Sequence, residues 1–334
     1  MARLPRGPRR APSRGRLRRT LLAALVTAAV AVPVAGAARP VDVPAPAPAP
    51  AVPLAAATPA ELAARYAAGR QAVRAAERSA EEYGAHRRAA ALRAMAADGR
   101  QFLAFDGRDG GRGAEVVGDL ARADRIAVLV PGADTDLDRY GRFRAGAVAL
   151  HHELRSALGA RAAVVAWLGY RTPATGSTAS LTPGRAERAA PALRAFVGEL
   201  RAAKPGARIT LVCHSYGSVV CARASSGLPV DALVLHGSPG TGSDTVADLH
   251  TRAAVWAGRG TADWIGDVPH VRLPLLPGSA LGFELGFGED PLDPAFGARA
   301  FDAGDGGHSD YLVPGSVPLA NTARIADGRE PGRA

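Results

Sequence analysis

The sequence predicts an α/β fold in which a mostly parallel sheet is covered by helices on both faces. Short apolar runs at residues 102–105, 126–130, 163–167, 208–212, 233–235, 253–257 and 298–301 alternate with helical stretches such as 144–158 and 186–203. Runs that are apolar on both alternating faces mark strands buried from both sides, which is the pattern of parallel sheets with crossover helices. A second observation is the run 208–212, which leads directly into Cys213-His214-Ser215-Tyr216-Gly217 and then into a small-residue helical stretch starting at Ser218. Strand, sharp turn at a serine, then helix is the layout that exposes a hydroxyl above the carboxyl edge of a parallel sheet. Third, 334 residues with 47% hydrophobic composition suffice for one core of ordinary size with length to spare.

The chain opens on Arg3, Arg6, Arg9, Arg10, Arg14, Arg16, Arg18 and Arg19, followed by an uncharged apolar run at 21–34 and the small residues Ala35-Gly36-Ala37. A basic segment, an apolar segment and a small-residue cleavage site together read as a signal peptide over residues 1–37, with a retained anchor helix as the alternative. The pair Arg18-Arg19 loosely resembles a twin-arginine signal. The formal net charge of +10 comes largely from this leader, because without it 33 basic residues face 31 acidic ones. The remaining chain is close to neutral, so its high pI is no argument for nucleic-acid binding. Membrane contact is expected only through the leader, if it is not cleaved, and the predicted location is secreted or cell-envelope associated.

Residues 38–58 alternate proline and alanine and predict an extended, semi-rigid linker. Thr58-Pro59-Ala60-Glu61 then combines a capping threonine, a proline at the first helical position and a glutamate three residues after the cap. A helical segment is therefore expected over 59–99, interrupted near Gly84, with an apolar face made mostly of alanine. The main α/β domain is expected over 100–330. Cys213 and Cys221 are the only cysteines. The turn geometry between them is expected to leave two buried free thiols.

Within the turn, a serine held in a strained backbone conformation needs small residues two positions away on each side. Gly217 supplies one, and Cys213 stands where a second glycine is usual. A serine hydroxyl is a poor nucleophile unless a histidine takes its proton and a carboxylate orients that histidine. In folds carrying such an elbow the chain order is Ser, acid, His. His308, in the glycine-rich loop Asp305-Gly306-Gly307-His308-Ser309-Asp310-Tyr311 after the last predicted strand, is the candidate base, with His270 as fallback. His236 and His250 come too early for the order. Asp263, reached by a glycine turn after the strand at 253–257, is the candidate acid, and Asp267 stays open beside it.

An acyl-transfer site also needs two backbone donors for the developing oxyanion. The amide of Tyr216 is one candidate. The amide of Ala133, in the loop Pro131-Gly132-Ala133-Asp134-Thr135, is the other. Asp134, Asp136 and Asp138 superficially match a calcium loop, but Arg139 and Ala145 stand where that loop needs glycine and glutamate. Gly237-Ser238-Pro239-Gly240-Thr241-Gly242-Ser243 lacks the lysine of a phosphate-binding loop, and no Cys and His cluster has metal-ligand spacing. No metal or cofactor is expected.

The ordered set Val130-Pro131-Gly132, Val165-Ala166-Trp167-Leu168-Gly169-Tyr170, His214-Ser215-Tyr216-Gly217-Ser218, Gly237-Ser238-Pro239-Gly240, Val255-Trp256-Ala257-Gly258 and Gly307-His308-Ser309-Asp310-Tyr311 resembles a bacterial family of α/β-hydrolase domains of unknown function. The resemblance covers roughly residues 100–326. It implies the α/β-hydrolase fold and a Ser, Asp, His triad without naming a substrate, and Cys213 departs from the family's usual glycine. The expected activity is that of an exported serine hydrolase acting on a small-molecule or lipid-like ester, with thioesters and amides as related substrates. The apolar insert at 281–287 is expected either as a lid over an acyl group or as an ordinary buried strand or loop. The competing expectation is a non-catalytic binding module or cell-envelope scaffold that keeps the fold without the chemistry.

Overall fold

The computed structural model describes residues 43–48, 53–268, 270, 272–274 and 284–332. The predicted leader at 1–37 lies outside the described residues, as do parts of the linker and positions 281–283 of the apolar insert.

Helix α1 (Pro59–Glu82) starts as its sequence dictates, with the Thr58 hydroxyl accepting from the Glu61 amide at 3.3 Å and proline in the first turn. Gly84, at φ 77°, turns the chain into α2 (His86–Met95). Next come β1 (Gln101–Asp106), β2 (Arg112–Gly118), β3 (Arg125–Val130), α3 (Tyr140–Ser156), β4 (Ala162–Leu168), α4 (Gly184–Ala203) and β5 (Arg208–His214). They are followed by α5 (Tyr216–Ala224), β6 (Ala232–His236), β7 (Ala254–Gly258), the hairpin β8 (Arg272–Pro274) and β9 (Glu284–Gly286), β10 (Arg299–Ala300) and α6 (Val317–Asp327). Among the described residues no helix is long and apolar enough to cross a membrane.

Among the described residues the main sheet has eight strands in the order β1-β2-β4-β3-β5-β6-β7-β10. Its first two pairings are antiparallel, and every pairing from β4–β3 to β7–β10 is parallel. This is the α/β-hydrolase fold. Strand alternation divides the interior into two layers. Val128, Val165, Leu211 and Leu235 face the layer closed by Leu193 and Val197 of α4 and Val220 of α5. Val164, Val212 and Val234 face the layer closed by Leu150 and Leu154 of α3 and Leu319 and Ala323 of α6. The N-terminal helices join that second layer through Val73, Ala76, Leu92 and Met95.

Strand β2 escapes a search for apolar runs because Glu115 sits in its middle. The side chain is buried and ion-paired to Arg100 and to Arg144, the latter at 3.0 Å, so its charge is compensated inside the fold. Helix α6 and the short hairpin were likewise not marked by long apolar periods.

The expectation of two free thiols is corrected. Cys213 and Cys221 form a disulfide, with Cα atoms 6.5 Å apart. The reason is the reversal at Ser215, which folds α5 back along the face of β5 that carries Cys213. Both cysteines then lie in the same layer within reach of a bridge. With a sequence separation of eight, the loop it closes is small. Chain-entropy reasoning still assigns it about 2–3 kcal/mol. Replacing both cysteines by alanine is expected to lower unfolding stability by about that amount in urea titration.

Candidate active site

Ser215 is the first residue after β5 and the cap of α5, at φ 53° and ψ −126°. This region is sparsely populated by residues with a side chain and is held by its surroundings. The Ser215 amide donates to the His236 carbonyl at 2.9 Å, and the Ser218 amide donates to the Ser215 carbonyl at 2.8 Å. The Ser218 hydroxyl adds a bond to the Cys213 carbonyl at 3.2 Å. Neighbouring backbone must come very close for the turn to fit. A Cβ on Gly217 would stand 2.5 Å from the Val130 carbonyl oxygen, and one on Gly132 would stand 2.7 Å from the Ser215 Cβ.

His308 lies on the loop between β10 and α6, with Nε2 2.9 Å from Ser215 Oγ. Its Nδ1 is 2.8 Å from Asp263 Oδ1. The loop is tied by the Asp310 carboxylate, which accepts from the Gly307 amide at 2.8 Å. It is also tied by His214, whose Nε2 lies 2.6 Å from the His308 carbonyl oxygen. A carbonyl can only accept, so His214 carries its proton on Nε2.

Asp263 caps a short turn formed by Trp264–Asp267 after β7. Its Oδ1 accepts from the Ile265 amide at 2.9 Å as well as from His308, and its Oδ2 accepts from the Tyr311 hydroxyl. Burial pushes this carboxyl up, but the bonds from His308, Tyr311 and Ile265 outweigh it and hold the pKa below the ordinary carboxylate value. Tyr311 is pushed far up by its own burial and by Asp263, so it remains a donor. Of the two candidate acids, Asp263 stands behind His308, whereas Asp267 is exposed at the far end of the turn.

The other histidines lie elsewhere. His270 Nε2 is 3.8 Å from Asp290 Oδ1. His250 is exposed in a left-handed turn. His236 is buried, bonded to Thr322 Oγ1 at 2.8 Å and stacked on Tyr311 at 4.9 Å between ring centres.

Residues behind the proposed triad, His214 and Tyr311, carry weight that motif reading missed. Both lie inside the elbow and histidine-loop motifs, but only their place in three dimensions shows what they touch. Trp264 is a third such residue, its ring centre 4.7 Å from that of His308.

Ser215 and His308 open into a cleft of ≈ 1410 Å³ at the carboxyl edge of the sheet. Ala133 and Tyr216, whose amides were the expected oxyanion donors, both line it. The Ala133 loop is pinned by Tyr170, which donates to the Pro131 carbonyl at 2.6 Å, and by the Asp134 amide, which donates to the Pro173 carbonyl at 2.9 Å. The Tyr216 side chain donates to the Thr182 carbonyl at 2.8 Å, and Phe287 packs edge-on against its ring. Phe287 is therefore buried, while Glu284–Gly286 form the hairpin strand β9. The aspartates of the Ala133 loop are already engaged. Asp136 accepts from the Arg139 amide at 3.0 Å and Asp138 pairs with Arg88.

The model of a family described as alpha/beta hydrolase matches residues 106–273. An uncharacterized protein of Mycobacterium tuberculosis is 30% identical over 255 residues, 68% of this chain and 38% of the relative. A second uncharacterized protein of that organism is 34% identical over 157 residues, 44% of this chain and 55% of the relative. The chain thus spans well under two thirds of the length of either. Among solved structures, an esterase of Pyrococcus furiosus is similar with a TM-score of 0.44 and 12% identity, covering 70% of this chain and 93% of that one.

Two desolvated histidines, the half-buried His214 and the buried His236, give the fold an acid limit. Burial, reinforced by the neighbouring His308, pushes His214 down to about 4 from the ordinary 6.5. Burial, reinforced by His214, pushes His236 down to about 3. Below 6.5 the unfolded chain therefore binds protons that the folded chain refuses, so stability is complete above 6.5 and falls as pH drops toward 4. His214 alone is expected to remove roughly 3 kcal/mol over that window. Urea unfolding above pH 6.5 and at about pH 4 checks this. The variant His236→Gln, which keeps a donor for Thr322, is expected to show a shallower loss.

Proposed function

We propose, from the premise that this chain belongs to the alpha/beta hydrolase family, that it is a serine hydrolase of ester bonds with Ser215, His308 and Asp263 as its catalytic triad. The observation that carries the reading is the continuous line of hydrogen bonds from Ser215 Oγ to His308 Nε2 and from His308 Nδ1 to Asp263 Oδ1, at 2.9 and 2.8 Å.

Asp263 is ionised and accepts from Nδ1, which leaves Nε2 as the free base facing the serine. As Ser215 Oγ attacks the ester carbonyl carbon, its proton passes to His308 Nε2 and the imidazolium forms against Asp263. The carbonyl oxygen gains the negative charge, and the amides of Tyr216 and Ala133 are the donors assigned to it. Collapse of the tetrahedral species expels the alcohol, which takes the proton from His308 and leaves an acyl group on Ser215. Water then repeats the sequence, losing its proton to His308 and releasing the carboxylic acid.

Tyr311 and His214 act as positioning residues in this scheme. Tyr311 holds the carboxylate that orients the base, and His214 holds the backbone carbonyl of the base itself. The Cys213–Cys221 disulfide supports a non-reducing location for the mature chain, in keeping with export by residues 1–37.

Ser215→Ala is expected to abolish labelling by a fluorophosphonate probe and hydrolysis of p-nitrophenyl esters. Asp263→Asn should reduce kcat on the same esters by roughly 10⁴-fold. Asp267→Asn should stay within about twofold of the parent. A folded protein whose labelling ignores Ser215→Ala would instead be a scaffold that has kept the fold alone.

A further inference from the structure

The charges around the cleft do not balance. Asp134 and Asp138 both line it, and both are engaged by arginines. Arg139 Nη1 lies 3.7 Å from Asp134 Oδ1, and Arg88 from α2 pairs with Asp138. Arg87, at the start of α2, and Arg142, in the first turn of α3, also line the cleft and are exposed. Neither has an ion-pair partner among the described residues. Two exposed arginines thus border the cleft with no carboxylate paired to them among the described residues.

The rest of the rim is apolar. Leu181, Trp264 and Val313 are large hydrophobic side chains left 44%, 49% and 46% exposed, and all three line the same cleft. Apolar groups of this size left open around one concavity mark a binding surface. Sheet order separates Arg142 from Trp264. Arg142 follows β3 and Trp264 follows β7, and these strands lie on opposite sides of β5, which carries Ser215. The serine therefore lies between Arg142 on one side and Trp264 on the other, while Leu181, which follows β4, stands on the arginine side.

We propose that the substrate is an anionic amphiphile, an ester whose apolar chain lies along Leu181, Trp264 and Val313 and whose carboxylate or phosphate is held by Arg87 and Arg142. The planar fork of a guanidinium fits both of these anions. The proposal rests on the reading of Ser215 as the nucleophile for its hydrolytic part only, since the preference for an anion is a property of binding. It also gives the N-terminal helices a part in the site, because Arg87 belongs to α2 and the Arg88–Asp138 pair fixes α2 against the cleft loop.

Two measurements test it. In the first, mono-p-nitrophenyl esters of dicarboxylic acids of graded chain length are compared with p-nitrophenyl esters of monocarboxylic acids of equal length. At the best chain length kcat/KM is expected to be about tenfold higher for the anionic ester. That ratio should fall toward one in Arg87→Gln/Arg142→Gln and at high salt. In the second, octanoate, octyl phosphate and 1-octanol are titrated calorimetrically into Ser215→Ala. Both anions are expected to bind more tightly than the alcohol, with the difference lost in the double arginine variant, and the tighter anion identifies the headgroup. Equal binding of the alcohol and the anions, or an anion preference that survives Arg87→Gln/Arg142→Gln in folded protein, would overturn the proposal. Absence of ester hydrolysis together with an arginine-dependent anion preference would instead sink the nucleophile reading and leave the anion site standing.

Discussion

The backbone of Ser215 is the constraint on which the site depends. A residue with a side chain is held at φ 53° and ψ −126°, and a free peptide would relax out of that conformation. It persists because β5 is locked between β3 and β6 and because the amide and carbonyl of Ser215 are both spoken for. Gly132 and Gly217 leave no room for the turn to slide, since backbone or serine atoms occupy the space a methyl group would need. Cys213 fills the position where glycine is usual and does something glycine cannot, joining the strand to the helix through Cys221. The bridge spans the strained residue itself, so α5 is fastened to β5 on either side of the serine.

Around that turn the polar groups are arranged so that charge is confined to one place. Desolvation keeps the half-buried His214 and the buried His236 neutral, and each uses a proton on Nε2 to hold a neighbour. Asp263 is the exception, a carboxylate kept ionised by three donors despite its burial. The neutral His214 holds the backbone of His308, and the charged Asp263 holds its Nδ1. Tyr311 links the two parts, bonding to Asp263 on one side and stacking on His236.

Much of this was legible in the sequence, and the exceptions have physical causes. Parallel strands such as Ala162–Leu168 are buried throughout and read directly as apolar runs. Ser215, His308 and Asp263, which lie within hydrogen-bond distance of one another, could be singled out because chain order and turn chemistry restrict where such a trio falls. Between Asp263 and Asp267 only coordinates decide, since four residues along a short turn change which side of the turn a carboxylate occupies. Strand β2 was hidden by Glu115, whose partners Arg100 and Arg144 come from outside the strand. The expectation of free thiols rests on a turn that keeps the two side chains apart, whereas the reversal at Ser215 lays α5 along β5 and brings them within reach of a bridge. The arginines of the rim were invisible for a related reason. Arg87 and Arg142 share no motif, and only the packing of α2 beside the cleft loop sets both along the same cleft.

The central claim is that the hydroxyl of Ser215 becomes covalently acylated during turnover. Rapid acid quenching of the protein with an ester substrate, followed by intact-mass and peptide mass spectrometry, tests it most directly. The account predicts a transient adduct with the mass of the acyl group on the peptide containing Ser215, accumulating when His308 is intact and absent in His308→Ala. Product formed at full rate with no adduct at any time, or an adduct on another residue, would contradict it.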